Sequence, residues 1–164
     1  MTAVSDSGPL IHLSWLNQLQ LLPALFGDVA VPTAVRNEVL QDEPGFPGIA
    51  ELRNAFAEDW IQVRAVSTSP AGAVALPLGA GESEAIALMV ELAADVLLMD
   101  ERRGRRYASQ QGLPLVGTIG VLRLARGRGL VPAVSPLLEQ LRERGFRIGT
   151  HIVEQVNREE QTQR

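Results

Sequence analysis

Four acidic residues stand where a parallel sheet would bring them to a common edge: Asp6, Glu38, Glu82 and Asp100. Asp6 ends the first predicted strand, and Asp100 directly follows an apolar run at residues 96–99. Glu82 begins a predicted helix that leads to that run, and Glu38 lies about one and a half turns into another helix. Because ligands of open α/β sheets bind at the carboxyl ends of the strands, we expect the four carboxylates to share one crevice.

Carboxylates gathered in one crevice repel one another, and this repulsion raises their pKa values unless a divalent cation neutralises it. Mg²⁺ or Mn²⁺ is the expected ion, because the chain has no cysteine and only two histidines and therefore offers mainly oxygen ligands. Such ions accept phosphate oxygens, so the predicted chemistry is phosphodiester hydrolysis. The alternative is that each acid serves only its own helix, with Asp6 or Ser7 as a cap, Glu82 beside a helix N-terminus and Glu38 solvated.

Strand and helix patterns alternate along the chain, which predicts a three-layer α/β/α fold with a central parallel sheet. Strands are predicted at residues 2–6, 28–31, 61–66, 96–99 and 113–116. Helices are predicted at residues 9–16, 19–26, 33–40, 49–60, 82–94, 101–111, 118–126, 133–144 and 149–160. Loops rich in Pro, Gly or Ser are predicted at residues 42–48 and 67–81.

Composition narrows the class of protein. The 164 residues are enough for one domain, and 46% of them are hydrophobic. The absence of cysteine excludes a disulfide framework, a cysteine nucleophile and an iron–sulfur cluster. The first eight residues do not have the pattern of a secretory signal, and the longest apolar run is interrupted by Glu91 and Asp95. We therefore expect a soluble cytoplasmic protein that does not associate with membranes.

Charge is distributed unevenly along the chain. Residues 1–100 contain 13 acidic residues and three arginines, whereas residues 101–164 contain 12 arginines and six acidic residues. Four of these arginines directly follow Asp100, and we expect them to bind the phosphates of a nucleic acid: Arg102, Arg103, Arg105 and Arg106. The alternatives are a solvated helix face and a compositional bias towards arginine. Aromatic residues make up only 4%, which disfavours a base-stacking surface.

Five segments, in this order, resemble PIN domains. They are VSDSGPL (residues 4–10), VPTAVRNEV (31–39), LGAGESEAIAL (78–88), LLMDERRGR (97–105) and GTIGVL (117–122). The resemblance is greatest to a bacterial and archaeal branch described as predicted nucleic acid-binding proteins. It covers nearly the whole chain and implies a single PIN-like domain over residues 1–164, with C-terminal helices at about residues 133–160.

The resemblance implies a metal-dependent endoribonuclease of the kind found among VapC-like toxins, which pair with a small antitoxin. The acidic quartet of that family carries over onto the four acids named above. Asp6 and Asp100 would then be direct metal ligands, and Glu82 would complete the metal site or hold a metal-bound water. Glu38 would position the attacking water or a second metal.

The chain departs from the family pattern at two positions. The third acid, often Asp in these toxins, is here Glu82, with Glu84 as a rival. The last strand ends at Gly117 and Thr118, where some relatives carry another acid, so Thr118 is expected to contact phosphate or a metal-bound water. Ser7, Glu84 and Thr118 are the predicted supporting residues. Two rival functions stay open: a PIN-like module that binds RNA or protein without cleaving it, and a nuclease that acts on DNA.

Two further features have simpler interpretations. His12 lies among apolar residues and is predicted to be a partly buried helix residue rather than a catalytic base. The two C-terminal helices carry apolar residues at helical spacing, which is typical of core packing, with a dimer face or an antitoxin groove as the alternative. These residues are Val134, Leu137, Leu138, Leu141, Ile152, Val153 and Val156. The family resemblance favours homodimers.

Overall fold

Five parallel strands form one sheet within residues 1–41, 47–67 and 78–162, the part of the chain that the computed structural model describes. The strands are β1 (Thr2–Ser5), β2 (Asp28–Pro32), β3 (Ile61–Arg64), β4 (Val96–Leu98) and β5 (Leu115–Val116). Their order in the sheet is β3-β2-β1-β4-β5. Together with the flanking helices, this sheet confirms the predicted three-layer α/β/α fold.

The two central strands, β1 and β4, lie side by side. Val4 pairs with Leu97 and Ser5 with Leu98, and these four residues and Ala3 are completely buried. Strands of this kind read as continuous apolar runs because layers cover both faces of the sheet. The strand order changes direction between β1 and β4, and such a switch point opens a crevice at the carboxyl ends of the strands.

The predicted helices are all present, with small differences at their ends. Their bounds are α1 (Ser7–Trp15), α2 (Leu21–Phe26), α3 (Thr33–Gln41), α4 (Ile49–Ala57), α5 (Ala80–Glu91), α6 (Arg102–Gln110), α7 (Thr118–Gly127), α8 (Ser135–Glu143) and α9 (Thr150–Thr162). Residues 42–46 and 68–77, which belong to the two predicted loops, lie outside the described residues.

Two helices begin two residues earlier than the sequence pattern predicts. Asp6 and Gly79 are extended residues, with ψ of 174° and 163°, and the helical turns start directly after them at Ser7 and Ala80. Glu82, predicted to be the first residue of α5, is therefore the third residue of that helix and still lies in its first turn. Helix α4 ends three residues earlier than predicted, since Asp59 adopts a left-handed conformation with φ of 57°.

The chain divides into two compact units, Met1–Thr118 and Ile119–Arg164. The first contains the whole sheet and all of the predicted acidic quartet. The single domain predicted over residues 1–164 stays a prediction. No helix in the described part of the chain is long and apolar enough to cross a membrane.

Charged side chains connect the helices of the second unit. Glu160 of α9 accepts hydrogen bonds from the backbone amides of Val134 and Ser135 at the start of α8, and its carboxylate lies 3.7 Å from Arg126 of α7. Arg123 of α7 pairs in the same way with Glu159 of α9. The apolar residues predicted to be core are buried at four positions, Val134, Leu138, Leu141 and Val156, and half-buried at Leu137, Ile152 and Val153.

Candidate active site

Asp6 lies at the carboxyl end of β1, and only 5% of its surface is exposed. Its backbone amide donates to the carbonyl oxygen of Leu98 at 2.9 Å, which extends the pairing of β1 with β4 by one residue. The pKa of Asp6 is raised to about 7, mainly by burial and less by the charges of Glu82, Glu38 and Asp100, while a hydrogen bond from the Ser7 backbone acts in the opposite direction. The four predicted acids are therefore close enough to interact electrostatically.

Asp100, just beyond β4, accepts three hydrogen bonds. The amide of Thr118 donates to Oδ1 at 2.7 Å, and the hydroxyl of Thr118 donates to Oδ2 at 2.6 Å. Nδ1 of His12 lies 2.8 Å from the same Oδ2. Burial alone would raise the pKa of Asp100, but the hydrogen bonds from His12 and Thr118 outweigh it and lower the pKa. Asp100 is therefore ionised and held in one orientation.

Two glycines leave room for the Asp100 carboxylate. A Cβ atom on Gly8, in the first turn of α1, would lie 3.2 Å from Oδ2 of Asp100. A Cβ atom on Gly117 would lie 3.0 Å from Oδ1 of Asp100 and 2.9 Å from Nη1 of Arg105. Side chains at either position would press on the carboxylate, so both glycines belong to the site although neither carries a functional group.

Glu38 of α3 connects the first turn of α1 with the first turn of α5. Its Oε2 accepts a short hydrogen bond from the hydroxyl of Ser7, and its Oε1 accepts one from the amide of Gly81 at 3.0 Å. A Cβ atom on Gly81 would approach both carboxylate oxygens to 2.6 Å. Glycine is thus required at position 81 for Glu38 to occupy this place.

Glu84, the predicted rival of Glu82, points to a different partner. Its Oε2 accepts a hydrogen bond from the amide of Ala34 at 3.1 Å, in the first turn of α3. Helices α3 and α5 therefore cap each other: Glu38 of α3 binds an amide at the start of α5, and Glu84 of α5 binds an amide at the start of α3. Carboxylates at helix N-termini are stabilising, so the structure gives Glu84 a sufficient role outside the acidic cluster.

Glu82 lies in the first turn of α5 and faces the start of α6. Its pKa is raised by burial, by the charge of Glu101 and, more weakly, by that of Glu38, while a hydrogen bond from the Gly79 backbone and the charge of Arg103 lower it. A Cβ atom on the buried Gly104 of α6 would lie 3.6 Å from its Oε2. Glu82 shares with Asp6 the property that its charged form is disfavoured.

The four arginines of α6 fall into two classes. Arg105 is half-buried, and its Nη1 donates to the carbonyl oxygen of Met99 at 2.8 Å, beside Asp100. Arg102, Arg103 and Arg106 are exposed on the surface of the helix. Only Arg105 among the four is thus held within the acidic site itself.

A family model described as "DUF3368: PIN domain" matches residues 2–161. The chain belongs to the PIN-domain family. No curated protein is significantly similar to it in sequence. PIN domains are generally metal-dependent nucleases, so this membership indicates a nuclease, one of the hydrolases.

The donor atoms of this PIN domain fit a hard divalent cation. Asp6 and Glu82 are carboxylates whose ionisation is disfavoured in the protein alone, and a bound cation would reverse that preference. Oδ2 of Asp100 accepts two hydrogen bonds, whereas Oδ1 accepts one, from the amide of Thr118. A carboxylate oxygen has two lone pairs, so Oδ1 keeps one for a cation. In the part of the chain that the structure describes, no group of three or more histidine, aspartate or glutamate side chains is arranged so that it could hold a metal ion. Metal ligation by Asp6, Glu82 and Asp100 stays a prediction.

His12 is the residue of this PIN domain that sequence reasoning left out of the site. It is indeed partly buried in α1, as expected, but its ring also binds Asp100. The local signal is its spacing from Gly8: residues four apart share one face of a helix, and both of these face Asp100. The predicted supporting residue Thr118 also binds Asp100, and it is completely buried.

Proposed function

We propose that this PIN domain is a Mg²⁺- or Mn²⁺-dependent endoribonuclease that hydrolyses RNA phosphodiesters at the carboxyl ends of β1 and β4. The state of Asp6 supports this most. Its carboxylate is almost completely buried, is surrounded by three other acids, and has a pKa of about 7. A carboxylate kept in such a place weakens the fold, and binding a cation is the chemistry that offsets this cost.

The acidic residues would divide the work between them. Asp6, Glu82 and Asp100 would hold the cation through carboxylate oxygens, which are the ligands that Mg²⁺ and Mn²⁺ prefer. When bound, such an ion makes water a stronger nucleophile and neutralises charge on the phosphate. Glu38, held by Ser7 and by the amide of Gly81, keeps lone pairs with which to orient the attacking water.

The arginines of α6 support a polyanionic substrate. Arg102 and Arg103 occupy the first turn of α6, where positive charge opposes the helix dipole and lowers helix stability. Binding to the phosphates of a substrate close to the acidic site would explain why arginines occupy these positions although they destabilise the helix. Three of the four guanidinium groups are at the surface, where they would contact the substrate backbone away from the cleaved bond.

The resemblance to VapC-like toxins supports a biological role for this activity. In that role the protein is the toxin of a type II toxin–antitoxin pair in the cytoplasm, acts as a homodimer, and is held inactive by a small antitoxin protein. Growth arrest on induction of the parent, abolished in an Asp6→Asn/Asp100→Asn variant, is the expected result. Light scattering during gel filtration would report the mass of the oligomer.

The decisive experiment is a calorimetric titration with Mn²⁺ of the parent and of the Asp6→Asn/Asp100→Asn variant, followed by cleavage assays. We expect the parent to bind Mn²⁺ and the variant not to bind it. We also expect the parent to cleave a single-stranded RNA oligonucleotide in Mn²⁺ and to lose this activity in excess chelator. A variant that cleaves RNA as fast as the parent would show that the site is wrong.

Two outcomes would select the rival functions. Tight RNA binding without cleavage, under conditions where Mn²⁺ is bound, would identify a binding module. Faster cleavage of a DNA oligonucleotide of the same sequence, compared with RNA at equal ionic strength, would identify a nuclease that acts on DNA. Equal salt matters in this comparison because phosphate contacts make both affinities depend on salt.

A further inference from the structure

His12 lies in the second turn of α1 and contacts the carboxylate that follows β4. Its Nδ1 is 2.8 Å from Oδ2 of Asp100, and the two side chains are 17% and 14% exposed. The edge of the Trp15 ring packs near the imidazole, with centroids 5.1 Å apart and the planes at 69°. The imidazole is therefore held between Trp15 of its own helix and a carboxylate 88 residues further along the chain.

The direction of this hydrogen bond follows from the state of Asp100. The amide and the hydroxyl of Thr118 donate to its two oxygens, and an aspartate that is ionised at neutral pH has no hydrogen to donate. Nδ1 of His12 must then carry the hydrogen. With the hydroxyl and amide of Thr118, three donors from two elements hold the two oxygens of Asp100.

A carboxylate with only the two Thr118 hydrogen bonds would be held from one side. Thr118 follows β5, whereas His12 belongs to α1, so His12 fixes the carboxylate from a second direction. Gly8, one turn before His12, lets α1 approach closely enough for this contact, because any Cβ there would come within 3.2 Å of Oδ2. Fixing a carboxylate in one orientation is how neighbouring donors tune a metal ligand or a catalytic group.

We propose that His12 is a positioning residue, whose Nδ1–H holds Asp100 in the orientation that leaves one lone pair of Oδ1 available to a cation. This inference rests on the proposed function in so far as the cation is concerned. The orientation itself is a property of the protein alone, and it can be measured without any metal.

The experiment compares two substitutions at His12. His12→Asn keeps an N–H donor near the position of Nδ1, whereas His12→Leu has a similar size and no donor. His151→Leu is the matched control, because it removes the other histidine of the chain, which is exposed on α9. Circular dichroism first establishes that each variant is folded. If His12→Leu does not fold, His12→Gln, whose longer side chain displaces the donor, takes its place.

The metal-free readout is hydrogen exchange of the Thr118 amide, which donates to Oδ1 of Asp100. We expect exchange in His12→Leu to be at least about tenfold faster than in the parent, since a released carboxylate no longer holds this amide. His12→Asn and His151→Leu should stay within about threefold of the parent. Unchanged exchange in His12→Leu would overturn the proposal, because Asp100 would then be held without His12.

The second readout is the affinity for Mn²⁺ by calorimetry. Loss of a residue that orients a metal ligand typically weakens binding about 10–100-fold, and we expect a loss in this range for His12→Leu and near-parental affinity for His12→Asn. Equal affinity in His12→Leu and the parent would overturn the link between His12 and the cation. A parent that binds no Mn²⁺ would count against the proposed function, while Thr118 exchange would still decide whether His12 positions Asp100.

Discussion

Asp6 and Asp100 end neighbouring strands of one sheet, yet the protein treats the two carboxylates in opposite ways. Asp100 accepts hydrogen bonds from His12 and from both donors of Thr118, and its pKa is lowered. Asp6 is buried, and its pKa is raised to about 7 in spite of the one hydrogen bond from the Ser7 backbone. The fold thus stabilises the ionised form of Asp100 through hydrogen bonds and disfavours the ionised form of Asp6.

This difference indicates that the two carboxylates have different roles in the site. On the Asp100 side, two glycines make room for the carboxylate, and three hydrogen-bond donors of the protein hold it in one orientation. The Asp6 side, together with Glu82, carries charge that the protein alone does not stabilise. Groups that weaken a fold are retained where function needs them, so we expect the ligand to be recruited on the Asp6 side.

The largest expected effect distinguishes the two carboxylates by substitution. Asp6→Asn should reduce RNA cleavage about 10³-fold or more while the protein stays folded, because it removes a proposed ligand and a buried charge. Asp100→Asn should lose cleavage to a similar extent and also lower stability, since an amide cannot accept all three hydrogen bonds through its nitrogen. Cleavage rates and urea unfolding of both variants test this.

Asp28→Asn is the matched control for these substitutions, since Asp28 is an exposed residue at the start of β2. It should leave both cleavage and stability unchanged. An Asp6→Asn variant that cleaves within about threefold of the parent would remove Asp6 from the proposed site.

The next effect separates Arg105 from the exposed arginines of α6. Arg105→Gln should lower kcat about 10–100-fold with little change in KM, because its guanidinium lies beside Asp100 and is bound to the carbonyl of Met99. Arg102→Gln or Arg106→Gln should instead raise KM. Each should also reduce the slope of log affinity against log salt by about 0.7 if it contacts a single-stranded phosphate. Steady-state kinetics at several salt concentrations would separate these behaviours, and identical effects at all three positions would contradict the distinction.

A smaller effect concerns stability and pH. The pKa of Asp6 rises from an ordinary value of 3.8 to about 7 on folding, so the folded protein binds this proton more tightly than the unfolded chain does. Stability contributed by the protonated form is therefore present below pH 4 and is lost as the pH rises towards 7. Asp6→Asn mimics the protonated acid, and without divalent ions it should be more stable than the parent by about 4 kcal/mol at pH 8, because each of the roughly three pKa units of the shift corresponds to about 1.4 kcal/mol.

The pH dependence of this gain is the test. Urea unfolding at pH 5 should show a smaller gain of about 1.5 kcal/mol, because Asp6 is then protonated in the folded protein but ionised in the unfolded chain, and the two proteins should differ little only below about pH 4. A gain of the same size at pH 5 and pH 8 would mean that the charge of Asp6 is not its cause.

The order of strands and helices could be predicted from sequence because local patterns encode it. Residues 96–99 form an apolar run, which is how a strand covered on both faces reads, and β4 lies there. The common edge of the four acids followed from topology alone, since parallel strands end on the same side of a sheet. Element ends were less predictable, because the start of α5 depends on the extended conformation of a single residue, Gly79.

The partners of the acids could not be predicted, because they are remote in sequence. His12 and Asp100 are 88 residues apart, and the local sequence around either residue does not indicate that the two side chains meet. The separate roles of Glu82 and Glu84, two residues apart in one helix, likewise depend on which neighbouring helix each side chain meets. The assignment of catalytic and metal-binding roles stays a prediction for the same reason, since it requires a substrate and an ion as well as a fold.

The smallest expected effect tests whether the mutual capping of α3 and α5 is symmetrical in function. Glu38 and Glu84 each accept a hydrogen bond from one backbone amide of the other helix, but of the two only Glu38 also accepts one from the Ser7 hydroxyl next to Asp6.

Glu84→Gln should lower stability by about 0.5–1 kcal/mol, by loss of a charge at a helix N-terminus, and should leave cleavage within about twofold of the parent. Glu38→Gln should lower stability by a similar amount and cleavage about tenfold, because its amide replaces a carboxylate that orients water. If Glu84→Gln instead lost as much cleavage as Glu38→Gln, Glu84 would belong to the reactive cluster, and the unfavourable charge on the Asp6 side would have to be shared among five acids rather than four.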